Sequence, residues 1–210
     1  GQKCSAASRV FVMEEIYDEF IDRLIAHSAT LEVGHPSVPS VVVGPVIDAD
    51  AYARLTSAVA GTAGNVRFGE ADQTNQPAGW YVPPAIVDGL PPADRIMIDE
   101  LFGPVVAVSR VGDVDSAIRD ANNTDYALTA GIYSRSPATV ADAVRRLHAG
   151  NIYVNRTITG SIVGRQPFGG HGLSGTGPKA GGPDYLQAFS DSKSVSENTI
   201  RQGFAPGFLS

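Results

Sequence analysis

Between residues 105 and 154 the sequence alternates strand-type and helix-type patterns, and this restricts the fold more than any other feature. Residues 105–108 are an apolar run, 114–122 carry helical spacing, 130–133 are again strand-like, 137–147 helical and 151–154 strand-like. Strands that alternate with helices mark βαβ units around a buried, mainly parallel sheet with right-handed crossovers. The expected class is α/β.

The upstream residues extend the same reading. Arg9-Val10-Phe11-Val12-Met13 is a short apolar run, and Ile16, Phe20, Ile21, Leu24 and Ile25 then recur at helical spacing behind a first turn crowded with acids. A helix is expected at 48–60 and a strand at 65–68. Residues 81–87 read as extended, but Pro83 and Pro84 lack ladder donors and argue for a sheet edge. From 155 to 182 the composition shifts to glycine, serine and threonine, too long for a plain connection in a compact domain and therefore a functional loop. At 210 residues and 43% hydrophobic content, the chain suits one compact domain.

Several function classes recede on charge and composition. A formal charge of −6 disfavours non-specific binding to nucleic acid or anionic membrane. No run approaches the roughly 20 apolar residues of a membrane span. One cysteine cannot form an internal disulfide, so a reducing cytoplasm is the expected home. His27, His35, His148 and His171 share no metal-ligand spacing, and no metal is expected. Gly169-Gly170-His171-Gly172 lacks the strand-to-helix setting and the lysine of a phosphate cradle. The hydrophilic start, which leads directly into a motif, suggests that an N-terminal portion precedes this segment.

That lone cysteine, Cys4, is either a small buried hydrophobe or a nucleophile. Its surroundings, Gly1-Gln2-Lys3-Cys4-Ser5-Ala6-Ala7-Ser8-Arg9, place the thiol between a glycine-led turn and small helix-compatible residues. There, unpaired amides and the positive end of a short helix would stabilise a thiolate, and the same amides could donate to an oxyanion. A thiolate suits aldehyde oxidation, because its attack creates an sp³ carbon whose hydride can leave toward a nicotinamide.

Three segments in order carry a resemblance. Gly1-Gln2-Lys3-Cys4-Ser5-Ala6 with Arg9 resembles the nucleophile segment of the aldehyde dehydrogenase superfamily. Asp99-Glu100-Leu101-Phe102-Gly103-Pro104-Val105 resembles its Glu-x-Phe-Gly-Pro motif, and Gln166-Pro167-Phe168-Gly169-Gly170 through Ser174-Gly175 its Pro-Phe-Gly-Gly-x-x-x-Ser-Gly stretch. The resemblance implies catalysis by Cys4, a Glu100 carboxylate that accepts hydrogen bonds from the nicotinamide ribose, and Phe102 packed near the ring. Without those neighbours Glu100 would be an ordinary turn carboxylate.

Asn155-Arg156-Thr157-Ile158-Thr159-Gly160-Ser161 and Lys179-Ala180-Gly181-Gly182-Pro183-Asp184-Tyr185-Leu186 are similar to one subfamily, the L-glutamate γ-semialdehyde dehydrogenases of proline catabolism. The implied substrate carries an α-carboxylate and an α-ammonium remote from its aldehyde. Backbone amides at Gly160 or Ser161 and the hydroxyls of Ser161 and Ser5 would suit the carboxylate, while Phe168 would pack the aliphatic middle. An ordinary turn is the alternative for Gly160-Ser161. Residues 1–186 are then expected to form the thiol-bearing catalytic domain, and 187–210 a strand and tail that pair with a neighbouring subunit of a homo-oligomer. The family's NAD-binding domain, with its general-base glutamate and oxyanion asparagine, corresponds to nothing in these residues and is expected as a partner. NAD and NADP stay unseparated, because the ribose 2′ position would be read there. By itself the chain is expected to be inactive; the other readings are a partner-dependent assembly domain or a dehydrogenase for another ω-semialdehyde.

Overall fold

A computed structural model describes residues 1–69 and 78–199. Strand β1 (Arg9–Met13) passes through a 3₁₀ turn into helix α1 (Tyr17–Ser28). Helix α2 (Ala49–Ala60) starts where Asp48 accepts the Ala51 amide at 2.8 Å, satisfying a donor that the first helical turn leaves unpaired. After it come β2 (Asn65–Phe68), β3 (Ala85–Asp88), the four-residue α3 (Arg95–Ile98) and β4 (Val105–Val111). Helix α4 (Val114–Asn122) precedes β5 (Tyr126–Ala127) and β6 (Thr129–Ile132). Helix α5 (Pro137–Arg146), capped by Ser136 with proline in its first turn, leads to β7 (Asn151–Val154), and β8 (His171–Gly172) lies within the glycine-rich stretch.

The main sheet runs in the order β1-β4-β3-β2, with β1 and β3 parallel to β4 and β2 antiparallel to β3. Strands β6 and β7 form a separate parallel pair, and β5 pairs antiparallel with β8. Alternation along β3 and β4 sends side chains to two cores. Ala85, Val87, Val105 and Ala107 pack with Leu55 of α2 and Ile96 of α3. Ile86 and Val108 face the other way, against Val12 of β1 and Tyr17 and Ile21 of α1. Helices therefore cover both faces, as the α/β class requires.

One detail departs from the sequence reading. The extended run at 81–87 is not at a sheet edge, since β3 lies between β4 and β2 and all four of its residues are buried. Pro83 and Pro84 end just before the ladder, and Ala85 is the first to donate, to the Pro104 carbonyl at 2.8 Å. The boundary expected at 187 falls within a 3₁₀ turn at Tyr185–Phe189, and residues 190–199 are exposed without regular secondary structure. Residues 200–210 of the expected tail lie outside the described residues. Among the described residues no helix is long and apolar enough to cross a membrane, and no cluster of three metal-ligating side chains is present.

Candidate active site

The segment around Cys4 is a tight turn. The Lys3 amide donates to Gly1 O at 2.8 Å and the Ala6 amide to Lys3 O at 3.0 Å. The short helix expected after Cys4 does not form, because Ser8 is already committed to the sheet, its carbonyl accepting from the Ala107 amide at 2.9 Å. Cys4 is exposed, and its amide donates no hydrogen bond among the described residues. A free amide beside an exposed sulfur is the arrangement an oxyanion would use. Arg9 anchors the segment from β1: its guanidinium donates to the carbonyls of Ala121 at 2.9 Å, Asp120 at 3.1 Å and Asn123 at 3.3 Å, closing the C-terminus of α4. Burial lowers its pKa, opposed by Asp120.

The second motif is held from two sides. Asp94 caps α3, accepting the Ile96 amide at 2.9 Å with one oxygen and the Ala63 amide and Thr62 hydroxyl at 3.1 and 3.0 Å with the other. Burial alone would raise its pKa, and these hydrogen bonds outweigh it, leaving the carboxyl below the usual range. Arg54 of α2 donates to the Leu101 carbonyl at 3.3 and 3.1 Å. Between these anchors Phe102 adopts a left-handed backbone, φ 54°, unusual for a bulky residue. Phe102 is 37% exposed. Glu100 is exposed and has no hydrogen bond or ion pair among the described residues.

Cys4, Glu100 and Phe102 line one cleft of about 140 Å³, together with Ser8, Met97 and Thr129. Ser174 of the third motif also reaches this cleft, and its hydroxyl accepts the Ala127 amide at 3.1 Å. Its place in the Ser-Gly pair of the third motif is the signal in the sequence that marks it. Ser5 is only 3% exposed and turns away from the cleft lining. Gly160, Ser161 and Phe168 lie on the loop between β7 and β8 and do not line it either.

That loop has its own fastening. Phe168 exchanges backbone hydrogen bonds with Ala180 at 2.9 and 2.8 Å. On the other side Asn151 donates to Pro167 O at 2.8 Å and accepts from the Gly169 amide at 3.2 Å. The Lys179 ammonium donates to the carbonyls of Gly169 at 2.5 Å and of Gly150. Gly160 has φ +89° and open space around it, which leaves its backbone accessible. Ser161 Oγ lies 2.7 Å from the Tyr153 hydroxyl.

The family model for the aldehyde dehydrogenase family matches residues 1–195. The chain belongs to the aldehyde dehydrogenase family. Among members of this family, the 1-pyrroline-5-carboxylate dehydrogenase of Geobacillus sp. (strain WCH70) is 42% identical over 197 residues, 94% of this chain and 38% of that protein. Proline utilization A from Bdellovibrio bacteriovorus superposes with a TM-score of 0.85 at 46% identity, covering 98% of this chain and 21% of that one. The 1-pyrroline-5-carboxylate dehydrogenase from Thermus with bound NAD superposes with a TM-score of 0.84 at 40% identity, covering 90% of this chain and 36% of that one. The chain thus spans well under half the length of these relatives.

Proposed function

We propose that this chain supplies the thiol-bearing part of an NAD-dependent aldehyde dehydrogenase that oxidises L-glutamate γ-semialdehyde to L-glutamate in proline catabolism. The observation that carries the reading is the meeting of Cys4, Glu100 and Phe102, distant in sequence, in one cleft. The similarity to 1-pyrroline-5-carboxylate dehydrogenases at about 40% identity supports the substrate. A lactaldehyde dehydrogenase structure stands lower, at 31%.

The Cys4 sulfur attacks the aldehyde carbon, forming a C–S bond, and the carbonyl oxygen takes the negative charge beside the free Cys4 amide. When bound, NAD supplies the hydride acceptor. An unpartnered carboxylate at Glu100 and an exposed ring at Phe102 fit the ribose and nicotinamide of such a cofactor. Loss of hydride leaves a Cys4 thioester, which water cleaves to the carboxylic acid and the free thiol. The water-activating base and the rest of the dinucleotide site lie outside these residues, in an N-terminal NAD-binding domain. The backbone at Gly160, the hydroxyl of Ser161 and the ring of Phe168 hold the substrate's remote carboxylate and aliphatic middle. The tail from about residue 187 pairs with a second subunit, and the lone exposed thiol suits a reducing cytoplasm.

The test is NAD-linked turnover by the full-length gene product and by the 210-residue chain. Turnover of the semialdehyde by the former and none by the latter is expected. Robust turnover by the chain alone refutes the need for a further domain, and greater kcat/KM on succinic semialdehyde reassigns the substrate. Absence of turnover by the full-length product favours a role in assembly.

A further inference from the structure

We infer that Tyr153 is a positioning residue for substrate selection, acting through Ser161; the inference rests on the reading of Ser161 as a carboxylate anchor. Tyr153 sits on β7, which runs parallel to β6, and it is 5% exposed. Its ring is thereby fixed by the sheet, while the loop that carries Ser161 has no ladder at that position. Among the described residues, the Ser161 side chain is tied to the sheet by the 2.7 Å contact between the two hydroxyls.

That contact has a preferred direction once an anion is present. A serine hydroxyl holds one proton and can accept others. If the Ser161 proton points at a carboxylate, the Tyr153 hydroxyl must be the donor to Ser161 Oγ. Donation of this kind polarises the serine O–H and strengthens the hydrogen bond it gives to the anion. The Arg156 guanidinium, 5.4 Å from the centroid of the Tyr153 ring, adds positive charge beside that ring. Tyr153 thus holds Ser161 in the rotamer and the donor role that an aldehyde with a remote carboxylate needs. An aldehyde without that carboxylate gains nothing from it.

The test compares Tyr153→Phe, Ser161→Ala and the double variant in the full-length gene product, with the semialdehyde and propanal as substrates. Tyr153→Phe should raise KM for the semialdehyde about tenfold, as expected for weakening a hydrogen bond to a charged group. KM and kcat for propanal should stay within about twofold, a split that a merely structural role would not produce. In the Ser161→Ala background the same change should have no further effect. Equal losses on both substrates, or an undiminished effect in the Ser161→Ala background, overturn the role of Tyr153. If Ser161→Ala itself fails to separate the two substrates, the anchor reading falls, and the inference with it.

Discussion

Gly1 and Gly103 meet backbone to backbone: a Cβ added to Gly1 would lie 2.1 Å from the Gly103 carbonyl oxygen and 2.8 Å from Pro104 Cα. The Cys4 turn and the Glu100-Phe102 motif therefore form one unit because two residues lack side chains. Gly103 is closed on its other flank, where a Cβ would come within 2.4 Å of both Leu55 methyls in the core. Gly103→Ala is expected to destabilise the fold by about 1–3 kcal/mol through overpacking, read from urea denaturation. Gly1→Ala should cost less stability but lower kcat, because it separates Cys4 from Glu100 and Phe102. A Gly1→Ala enzyme with unchanged kcat would show that this spacing does not matter.

Cys4 is the sole cysteine and is exposed, so one equivalent of iodoacetamide should label the native chain. Cys4→Ala should abolish labelling and reduce aldehyde oxidation by the full-length product on the order of a thousandfold or more. Its unfolding free energy should stay within about 0.5 kcal/mol of the parent, as for other exposed positions. Retained oxidation would remove Cys4 as the nucleophile.

Asp94 holds the start of α3 and, through it, the approach to Glu100. Asp94→Ala is expected to cost about 1 kcal/mol, the usual loss on removing a helix cap. Since hydrogen bonding lowers the folded-state pKa below the unfolded value of about 3.9, the carboxylate's contribution is present above that pH and lost as pH falls through the folded value. The stability gap between parent and Asp94→Ala should therefore narrow on acidification below about pH 4. A gap that stays constant down to pH 2 would show that the carboxylate charge is not what caps the helix.

The regular elements were legible where a period of hydrophobic residues met a local stop signal. Helix α4 runs over the residues its spacing indicated, because Asp113 caps one end and the other end breaks at Asn123. Helix α3 escaped detection: four residues are too few for a period, and only the Asp94 cap announces it. Pro83 and Pro84 misled because a missing donor matters only inside a ladder, and nothing local shows that the ladder starts at Ala85. Cys4, Glu100 and Phe102 could be named through short motifs, since their chemistry depends on residue type. Arg54, Tyr153 and Lys179 act through carbonyls and hydroxyls brought near by the fold, a relation that spacing along the chain does not encode.

Tyr17 ties helix α1 to the main sheet. Its hydroxyl donates to the buried Asp88 at 3.1 Å, where Arg67 also donates at 2.8 Å. Burial, followed by the Asp88 charge, pushes the phenol up to about 12. A folded-state value above the ordinary value of about 10 means that its stabilising contribution is complete below that pH and is lost as pH rises through the folded value. Absorbance titration should find a tyrosine ionisation well above the ordinary range, and Tyr17→Phe should remove it. If Tyr17→Phe leaves the high-pH end of the titration unchanged, the buried Tyr17–Asp88 contact does not persist in solution.

Lys179 gives the sharpest separation between folding and substrate handling. Its ammonium bridges the Gly150 and Gly169 carbonyls, and Asn151 takes the neighbouring polar groups at Pro167 and Gly169. A Cβ on Gly150 would lie 2.7 Å from the Lys179 nitrogen and closer still to the Gly169 oxygen, so the clamp leaves no room for a bulkier cation. Lys179→Met leaves both carbonyls without this donor and is expected to cost about 1–3 kcal/mol. Lys179→Arg should not restore it, because the planar guanidinium needs space that the ammonium does not. Since these bonds fasten the strip that carries Phe168, Lys179→Met should raise KM for the semialdehyde more than it lowers kcat, while Cys4 labelling continues at the parental rate. Unchanged KM in a destabilised Lys179→Met enzyme would confine the clamp to stability alone.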